Sequence, residues 1–155
     1  MKRINPQWLE LVRTVRQQDT YFRLLGMDIT DLGWGRARLE LEVGPQHLQP
    51  YGAVHGGVIS SLVDSAGFWA VYSMVPEGQE ATTVEMKLNY LAPVRSGRLA
   101  VEGRCLKLGR TLGLAEAQVQ SQEGEMVAHG TVTMMLLPAP GWARPASLPP
   151  KHLED

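Results

Sequence analysis

The chain has 155 residues, of which 44% are hydrophobic and 20% charged, and this composition is typical of one globular domain with a sizeable core. Its 15 basic and 16 acidic residues leave a net charge of −1, which gives no electrostatic reason to expect nucleic acid or a membrane as partner. A single cysteine, Cys105, excludes an intrachain disulfide, and no apolar targeting segment follows the basic start, so we expect a cytoplasmic protein.

The N-terminal part of the chain begins with a helical pattern. Asn5 is a good capping residue and Pro6 suits a first helical position, and the apolar residues that follow predict a helix from about Pro6 to Gln18. Residues 21–26 are typical of a short helical turn that ends at glycine, and the pattern stays irregular up to residue 33. Residues 34–43 then alternate between apolar and charged side chains, which predicts a half-buried strand.

A long apolar segment follows a loop at residues 44–52. Its pattern predicts a buried helix from about Gly57 to Met74, which Pro76 ends. An uncompensated carboxylate such as Asp64 costs about 2.5–3.5 kcal/mol at a bilayer centre, so a core helix is favoured over a membrane span. Because the helix is apolar over most of its surface, one sheet face would not cover it. A partner chain or a ligand must cover the rest, and a homo-oligomer is the simplest explanation.

Four strand-like segments come next, at residues 81–91, 98–108, 111–121 and 126–137. The last three are joined by short links, which predicts an antiparallel meander. Alternation in the first segment places Val84 and Met86 on one face and Thr83 and Glu85 on the other.

This order of elements predicts an α+β fold with a long helix across one face of an antiparallel sheet. We divide the chain into an N-terminal helix at residues 1–19, a main domain at residues 20–137 and a tail at residues 138–155. The tail holds five of the ten prolines, so we expect it to be extended or disordered, or to cross a partner as a strap.

The turn before the long helix and one carboxylate inside it carry the main chemical signal. Gly56 and Gly57 let a substrate approach the backbone, and free N–H groups at a helix start can stabilise an oxyanion. Asp64, two turns further along, would serve as a general base or a nucleophile. A hydrogen-bonded structural Asp and a plain glycine turn are the alternatives. His55 would orient the turn, act as an acid or base, or be satisfied by local backbone.

Basic residues near two other turns fit binding better than catalysis. The candidates for holding phosphates are Arg95, Lys107, Gly109, Arg110 and Thr111, although a basic turn is more often only solvated. The four histidines are scattered and none has a partner at metal-ligand spacing, so we predict no metal site. The chain lacks phosphate-loop and dinucleotide fingerprints, so no cofactor is expected.

These motifs resemble those of a known family. Gly52-x-x-His55-Gly56-Gly57 followed by Leu62-x-Asp64-x-Ala66 resembles the signature of hotdog-fold acyl-CoA thioesterases. Further matches are the sequence VEMKLNYLAP at residues 84–93 and Gly109-Arg110-Thr111. The nearest branch is the phenylacetate-degradation (PaaI-like) branch of the 4-hydroxybenzoyl-CoA thioesterase superfamily, and the resemblance covers about residues 20–137.

The resemblance implies a hotdog fold, in which a curved antiparallel sheet of five or six strands wraps a long central helix. It also implies dimers whose sheets join edge to edge, commonly paired into tetramers, with active sites at the dimer interface. In such a site the Gly56 N–H would polarise the carbonyl of an acyl-CoA or aroyl-CoA. Asp64 of the other subunit would activate water or attack directly, and Thr83 would position the water.

Two further sets of residues acquire roles from the resemblance. Relatives commonly carry Asn six residues before the histidine, where this chain has Gln49, which is longer by a methylene and would hold the water or nucleophile with altered geometry. Arg110 and its neighbours match the region that often contacts the nucleotide end of CoA.

Two other activities stay open from the sequence. A hotdog hydratase or dehydratase acting on an acyl thioester would use His55 and Asp64 as an acid–base pair. A non-catalytic acyl-CoA-binding sensor would bind the thioester without hydrolysing it.

Overall fold

The computed structural model describes residues 3–139 and 149–153. In these ranges the helices are α1 (Pro6–Gln18), α2 (Thr20–Leu25) and α3 (Gly56–Tyr72), with a short 3-10 helix at Pro45–His47. The strands, in chain order, are β1 (Arg3–Ile4), β2 (Met27–Gly33), β3 (Arg36–Glu42), β4 (Gln79–Tyr90), β5 (Arg98–Leu108), β6 (Leu112–Gln120), β7 (Met126–Pro138) and β8 (His152–Leu153).

Six strands form one antiparallel sheet in the order β2-β3-β5-β6-β7-β4, so β2 and β4 are its edges. The helix α3 packs against one face of this sheet and contacts all six strands. A Cβ atom added at Gly103 of β5 would lie 2.2 Å from the carbonyl oxygen of Ala66, so the helix backbone rests directly on the sheet. The predicted α+β arrangement of one long helix on an antiparallel sheet is confirmed.

Most predicted elements are present with bounds close to the expected ones. The first helix and β5 have the predicted ends, and α3 begins one residue earlier and ends two residues earlier than predicted. The three strands β5, β6 and β7 form the expected meander. Their inward residues are small or branched and fully buried, as in Val101, Ala117 and Val132.

The strand β2 was missed because its alternation breaks in the middle. Its pairing with β3 shifts register between Ile29 and Asp31, so that Met27, Ile29 and Leu32 are the buried residues. Since a bulge inserts one residue into the period of two, the sequence pattern loses the signature of a strand.

Because of a second bulge, some residues of β4 lie on the face opposite to the predicted one. The pairing of β4 with β7 shifts between Thr83 and Glu85, which leaves Val84 as the extra residue, 51% exposed. The prediction that Val84 shares the inner face with Met86 is therefore wrong. Thr83, predicted on the opposite face, instead points towards α3. One extra residue reverses the faces of all positions on one side of it.

The N-terminal helices provide part of the cover that α3 needs. Trp8 of α1 lies with its ring centroid 6.3 Å from those of both Trp69 and Tyr72, and Phe22 of α2 is buried in the same core. This cover comes from the same chain, and the prediction that a partner chain or a ligand covers the rest of the helix stays a prediction. One stripe of α3 stays half-exposed, and Asp64 lies on it.

The tail is described only in part, because residues 140–148 and 154–155 lie outside the described residues. Strand β7 runs to Pro138, and β8 pairs with β1 near the chain's own N-terminus. Lys151, 2% exposed, contacts the C-terminal end of α3. The proposed domain limits stay a prediction. Among the helices of the described residues, none has the length and apolar character needed to span a bilayer.

Candidate active site

Hydrogen bonds from two loops hold the turn that begins α3. The Val54 N–H donates to the Val94 carbonyl over 2.7 Å, and the His55 N–H donates to the His47 carbonyl over 2.8 Å. His47 is itself buried, with its Nδ1 accepting from Gly44 and its Nε2 donating to the Leu25 carbonyl. The start of the helix is therefore fixed from outside the helix.

His55 caps α3 and leaves one backbone donor open. Its Nδ1 accepts the Gly57 N–H over 2.8 Å, so the neutral ring carries its proton on Nε2. Within the described residues no acceptor bonds the N–H of Gly56, the first residue of the helix. An N–H group at this end of a helix also carries the positive end of the helix dipole. Of the two glycines predicted to bind substrate, only Gly56 keeps a free donor.

Tyr90 lies beside this donor, and the sequence analysis gave it no role in the site. Its hydroxyl donates to the Gly56 carbonyl over 3.1 Å, and a Cβ atom added at Gly56 would lie 3.0 Å from the ring. Gly56 is therefore required by close approach. A cavity of about 450 Å³ opens here, lined by Gln49, Ala53, Val54, Gly56, Ile59, Tyr90, Leu91, Ala92, Pro93 and Val94. A strand end rich in aromatic and apolar residues was the available signal for Tyr90.

Asp64 lies two turns along α3 on its half-exposed stripe. The Thr83 hydroxyl of β4 donates to Asp64 Oδ1 over 2.8 Å, and both side chains are half-buried. Thr83 points inward because of the bulge at Val84, so this hydrogen bond depends on the bulge. The carboxylate is held by a donor and stays accessible, as a base or nucleophile requires.

Gln49 lines the cavity, but its side-chain oxygen accepts a hydrogen bond from the backbone N–H of Tyr51 in its own turn. Arg95 donates from Nη1 to the Tyr51 carbonyl over 2.9 Å and so braces the same turn. Tyr51 is 87% exposed. Of the two predicted site residues, Gln49 therefore lines the cavity with its side-chain oxygen bonded within its own turn, and Arg95 braces that turn without lining the cavity.

Within one chain the predicted residues do not all meet. Asp64 follows Gly56 by eight positions, which is about 12 Å along the helix axis. The turn containing Gly109, Arg110 and Thr111 lies at the far end of the sheet, where the Leu136 N–H donates to the Thr111 carbonyl over 2.8 Å. That turn is near the start of β4, whereas Tyr90 and Gly56 are near its end. One subunit contains the parts of the site in separate places.

The described residues contain no group of three or more His, Cys, Asp or Glu side chains placed to hold a metal ion. Charged side chains instead pair on the outer face of the sheet, around a second cavity of about 440 Å³ that faces away from α3. There the hydrogen bond from Arg104, 2.7 Å from Glu116, is the main reason that the pKa of Glu116 lies below its usual 4.5. This network stabilises the surface and lies apart from the Gly56 turn.

Comparison with known proteins decides the family. The family profile described as the Thioesterase superfamily matches residues 51–128, which include the helix start, Asp64 and β4. The chain belongs to the Thioesterase superfamily. Among its relatives is the proofreading thioesterase EntH of Klebsiella pneumoniae, 33% identical over 112 residues that cover 72% of this chain and 75% of the relative.

Two solved structures show the same fold as this thioesterase. A thioesterase family protein from Silicibacter pomeroyi superposes with a TM-score of 0.77 at 32% identity, covering 85% of this chain and 99% of the other. The PaaI protein of E. coli, from the phenylacetic acid degradation operon, superposes with a TM-score of 0.76 at 22% identity, covering 84% and 94%. The predicted hotdog fold, which PaaI shares, and the predicted thioesterase family are confirmed, and the protein is a thioester hydrolase.

Proposed function

We propose that this thioesterase hydrolyses an acyl-CoA or aroyl-CoA to the free acid and CoA without a cofactor. The observation that carries the proposal is the unengaged Gly56 N–H at the start of α3, together with the Thr83-held carboxylate of Asp64 on the same helix. The two groups supply what thioester hydrolysis requires, which is a donor for the developing oxyanion and a base or nucleophile.

In the proposed reaction the Gly56 N–H donates to the thioester carbonyl oxygen. Asp64 removes a proton from water, whose oxygen bonds to the acyl carbon, and the carbon–sulfur bond then breaks. The thiolate leaves with CoA and takes up the proton. In the alternative, an Asp64 oxygen attacks the acyl carbon and displaces the CoA thiolate as the carbon–sulfur bond breaks. Water then hydrolyses the resulting anhydride, which frees the acid and the Asp64 carboxylate, and the released proton passes to the thiolate. Thr83 orients the carboxylate, His55 and Gly57 fix the turn that presents Gly56, and Gln49 borders the thioester.

The separation of Gly56 from Asp64 supports a site shared by two subunits. The outer edge of β4 pairs with no strand of the described residues, and such edges are normally covered. An antiparallel pairing of two β4 strands centred between Met86 and Lys87 would place Tyr90 opposite Thr83 of the partner subunit. Since Tyr90 bonds Gly56 and Thr83 bonds Asp64, each donor would then meet the other subunit's carboxylate.

The same two-fold pairing supports the proposed CoA contacts. It would bring the turn beside the start of one β4 to the end of the other β4, where Gly56 lies. Lys107, Gly109, Arg110 and Thr111 of the partner subunit would then reach the phosphates of CoA, near Arg95 of the first subunit. Guanidinium and ammonium groups are suited to phosphate.

We also propose that dimers pair into tetramers in the cytoplasm. Apolar side chains on the outer face of the sheet support a second interface, because the half-exposed residues at one end of β6 and β7 include Leu112, Leu114, Met135 and Leu137. Covering such a patch is favourable in water.

Free-thiol release from a panel of acyl-CoAs, followed with a disulfide reporter, tests the reaction. We expect release from wild type and a loss of about 10²–10⁴-fold in kcat for Asp64→Asn. Binding without release would indicate a sensor, and addition of water to an enoyl-CoA without release would indicate a hydratase. Either result would overturn the proposal.

Mixed dimers test the shared site. Gly56→Pro removes the N–H and places a Cβ atom against the Tyr90 ring, so it disables the turn of its own subunit. The backbone still suits proline, because Gly56 is the first helical residue and His55 already has the extended backbone that precedes proline. We expect both Gly56→Pro and Asp64→Asn to be inactive as pure proteins. After the two are unfolded and refolded together, random pairing gives half mixed dimers with one intact site each, so about a quarter of wild-type activity returns. No recovery, despite mixed dimers shown by mass spectrometry, would contradict a site built from two subunits.

A further inference from the structure

The half-exposed stripe of α3 is polar on the N-terminal side of Asp64 and aromatic on its C-terminal side. Towards the N-terminus of the helix the next residue on the stripe is Ser61, and towards the C-terminus the next two are Phe68 and Tyr72. These positions recur every three or four residues, so they share one side of the helix. Most residues on the other sides are buried, including Leu62, Ala66 and Ala70.

The polar side of Asp64 is already occupied by hydrogen bonds. The Ser61 hydroxyl donates to the Gly57 carbonyl over 2.8 Å and lies 2.6 Å from the Tyr21 hydroxyl. The opposite side is aromatic, since Phe68 stacks on Tyr72 with ring centroids 5.2 Å apart and an angle of 14° between the planes. An apolar acyl group bound at Asp64 is therefore favoured to extend over Phe68 towards Tyr72, because burial there removes apolar surface from water.

Tyr72 is held in place by two residues, Glu80 and Lys151. Its hydroxyl donates to Glu80 Oε1 of β4 over 3.0 Å, which bridges the space between helix and strand. Lys151 Nζ lies 3.7 Å from the ring centroid and donates to the carbonyls of Tyr72 and Val75 over 3.1 and 3.0 Å. The buried Lys151 side chain thus fixes the end of α3 and the ring together.

Two hydrogen bonds between α3 and β4 define a strip of fixed length. Thr83 bonds Asp64 at one end and Glu80 bonds Tyr72 at the other. The eight helical residues span about 12 Å, and the three strand residues span about 10 Å. The two estimates agree, so helix and strand run side by side with Phe68 between the two bonds.

We propose that Tyr72 is the end wall of the acyl-binding groove and sets the longest acyl group that this thioesterase accepts. An extended alkyl chain advances about 1.3 Å per carbon–carbon bond, since such bonds measure near 1.5 Å. A strip of about 10–12 Å therefore holds about eight or nine bonds. The accepted class is aroyl and medium-chain acyl groups of up to roughly nine carbons, and longer chains collide with Tyr72. This inference rests on the proposed function, because it assumes that the thioester is bound at Asp64.

The ratio of kcat/KM for dodecanoyl-CoA to that for octanoyl-CoA tests the wall. Each further methylene group of the acyl chain that is buried raises kcat/KM about fourfold. If Tyr72→Ala makes room for two more methylene groups, the ratio should rise by at least about tenfold. Tyr72→Phe keeps the stacked ring and should keep the wild-type ratio. Tyr21→Ala is the matched control, because it also removes a tyrosine ring but on the polar side of Asp64. Its ratio should stay within twofold of the wild-type ratio.

The outcomes separate this inference from the proposed function. If wild type releases no thiol from any acyl-CoA, the proposed function fails. If wild type hydrolyses octanoyl-CoA and Tyr72→Ala leaves the ratio unchanged, or if Tyr21→Ala raises it equally, the wall is elsewhere and this inference is overturned. Should Tyr72→Ala lose its cooperative thermal transition, Tyr72→Leu is judged on the same ratio, with a rise of at least threefold required.

Discussion

Replacing Thr83 by valine tests how the carboxylate is held. The hydroxyl donates to Asp64 Oδ1 over 2.8 Å, and both side chains are half-buried. A hydrogen bond to a charged group contributes about 1.5–3 kcal/mol, and partial exposure places this one near the lower limit. Each 1.4 kcal/mol is tenfold in rate or binding, so we expect kcat to fall about tenfold in Thr83→Val. The KM should change little, because the bond orients the carboxylate and does not contact the bulk of the substrate.

Thr82→Val is the matched control for this experiment. Thr82 lies next to Thr83 in β4 but points to the exposed face, and valine suits a strand as well as threonine does. Steady-state thiol release and a thermal melt of each variant separate catalysis from stability. If Thr83→Val retains the kcat of Thr82→Val, the hydroxyl does not orient the carboxylate. A loss shared by both variants would show that the strand, and not the hydrogen bond, was disturbed.

Three other changes have outcomes set by the structure. In Gly103→Ala the new Cβ meets the Ala66 carbonyl at 2.2 Å, so overpacking of about 1–3 kcal/mol should lower Tm by roughly 2–12 °C. Gly33→Ala, with nothing within 4 Å of the new Cβ, should melt like wild type. Burial raises the pKa of the Cys105 thiol, so the native protein should react slowly with a disulfide reporter at neutral pH and yield one equivalent on unfolding. The Arg104 hydrogen bond lowers the pKa of Glu116, so this ion pair stabilises the fold at pH values above 4.5, the usual pKa of the group, and the stabilisation is lost as the pH falls below it. The free energies of unfolding of wild type and Glu116→Gln should therefore differ by about 0.5 kcal/mol or less at pH 7 and become equal in acid. Thermal melts of both proteins across this pH range measure the difference.

The bulge in β4 shows why local pattern alone misplaced one site residue. Period-two alternation put Val84 inside and Thr83 on the opposite face, and it fails wherever a strand carries an extra residue. The pairing with β7 decides where that residue goes, because the register on either side of Val84 is set by partner residues more than 40 positions away. The sequence nevertheless named Thr83 as a site residue, through the resemblance and not through its place in the pattern.

The turn before α3 was also only partly predictable from the sequence. The sequence predicted that Gly56 and Gly57 lie at the start of the helix and that their backbone N–H groups can donate to a substrate. The fold then assigns one of them to His55 and leaves the other open, because the loop bonds at Val54 and His55 orient the ring over Gly57. Tyr90 is brought to the same turn by the whole length of β4, so its contact with Gly56 was not readable from local spacing.

The sequence by itself determined most of the elements, including the long core helix, and the family, because these depend on local periodicity, capping residues and a motif contained in one stretch of chain. Only the tertiary structure decided which backbone donor is free, that Thr83 meets Asp64, and that Tyr72 is clamped between Glu80 and Lys151. Each of these contacts joins residues from separate elements, and the burial and register that create them exist only once the sheet has formed around the helix.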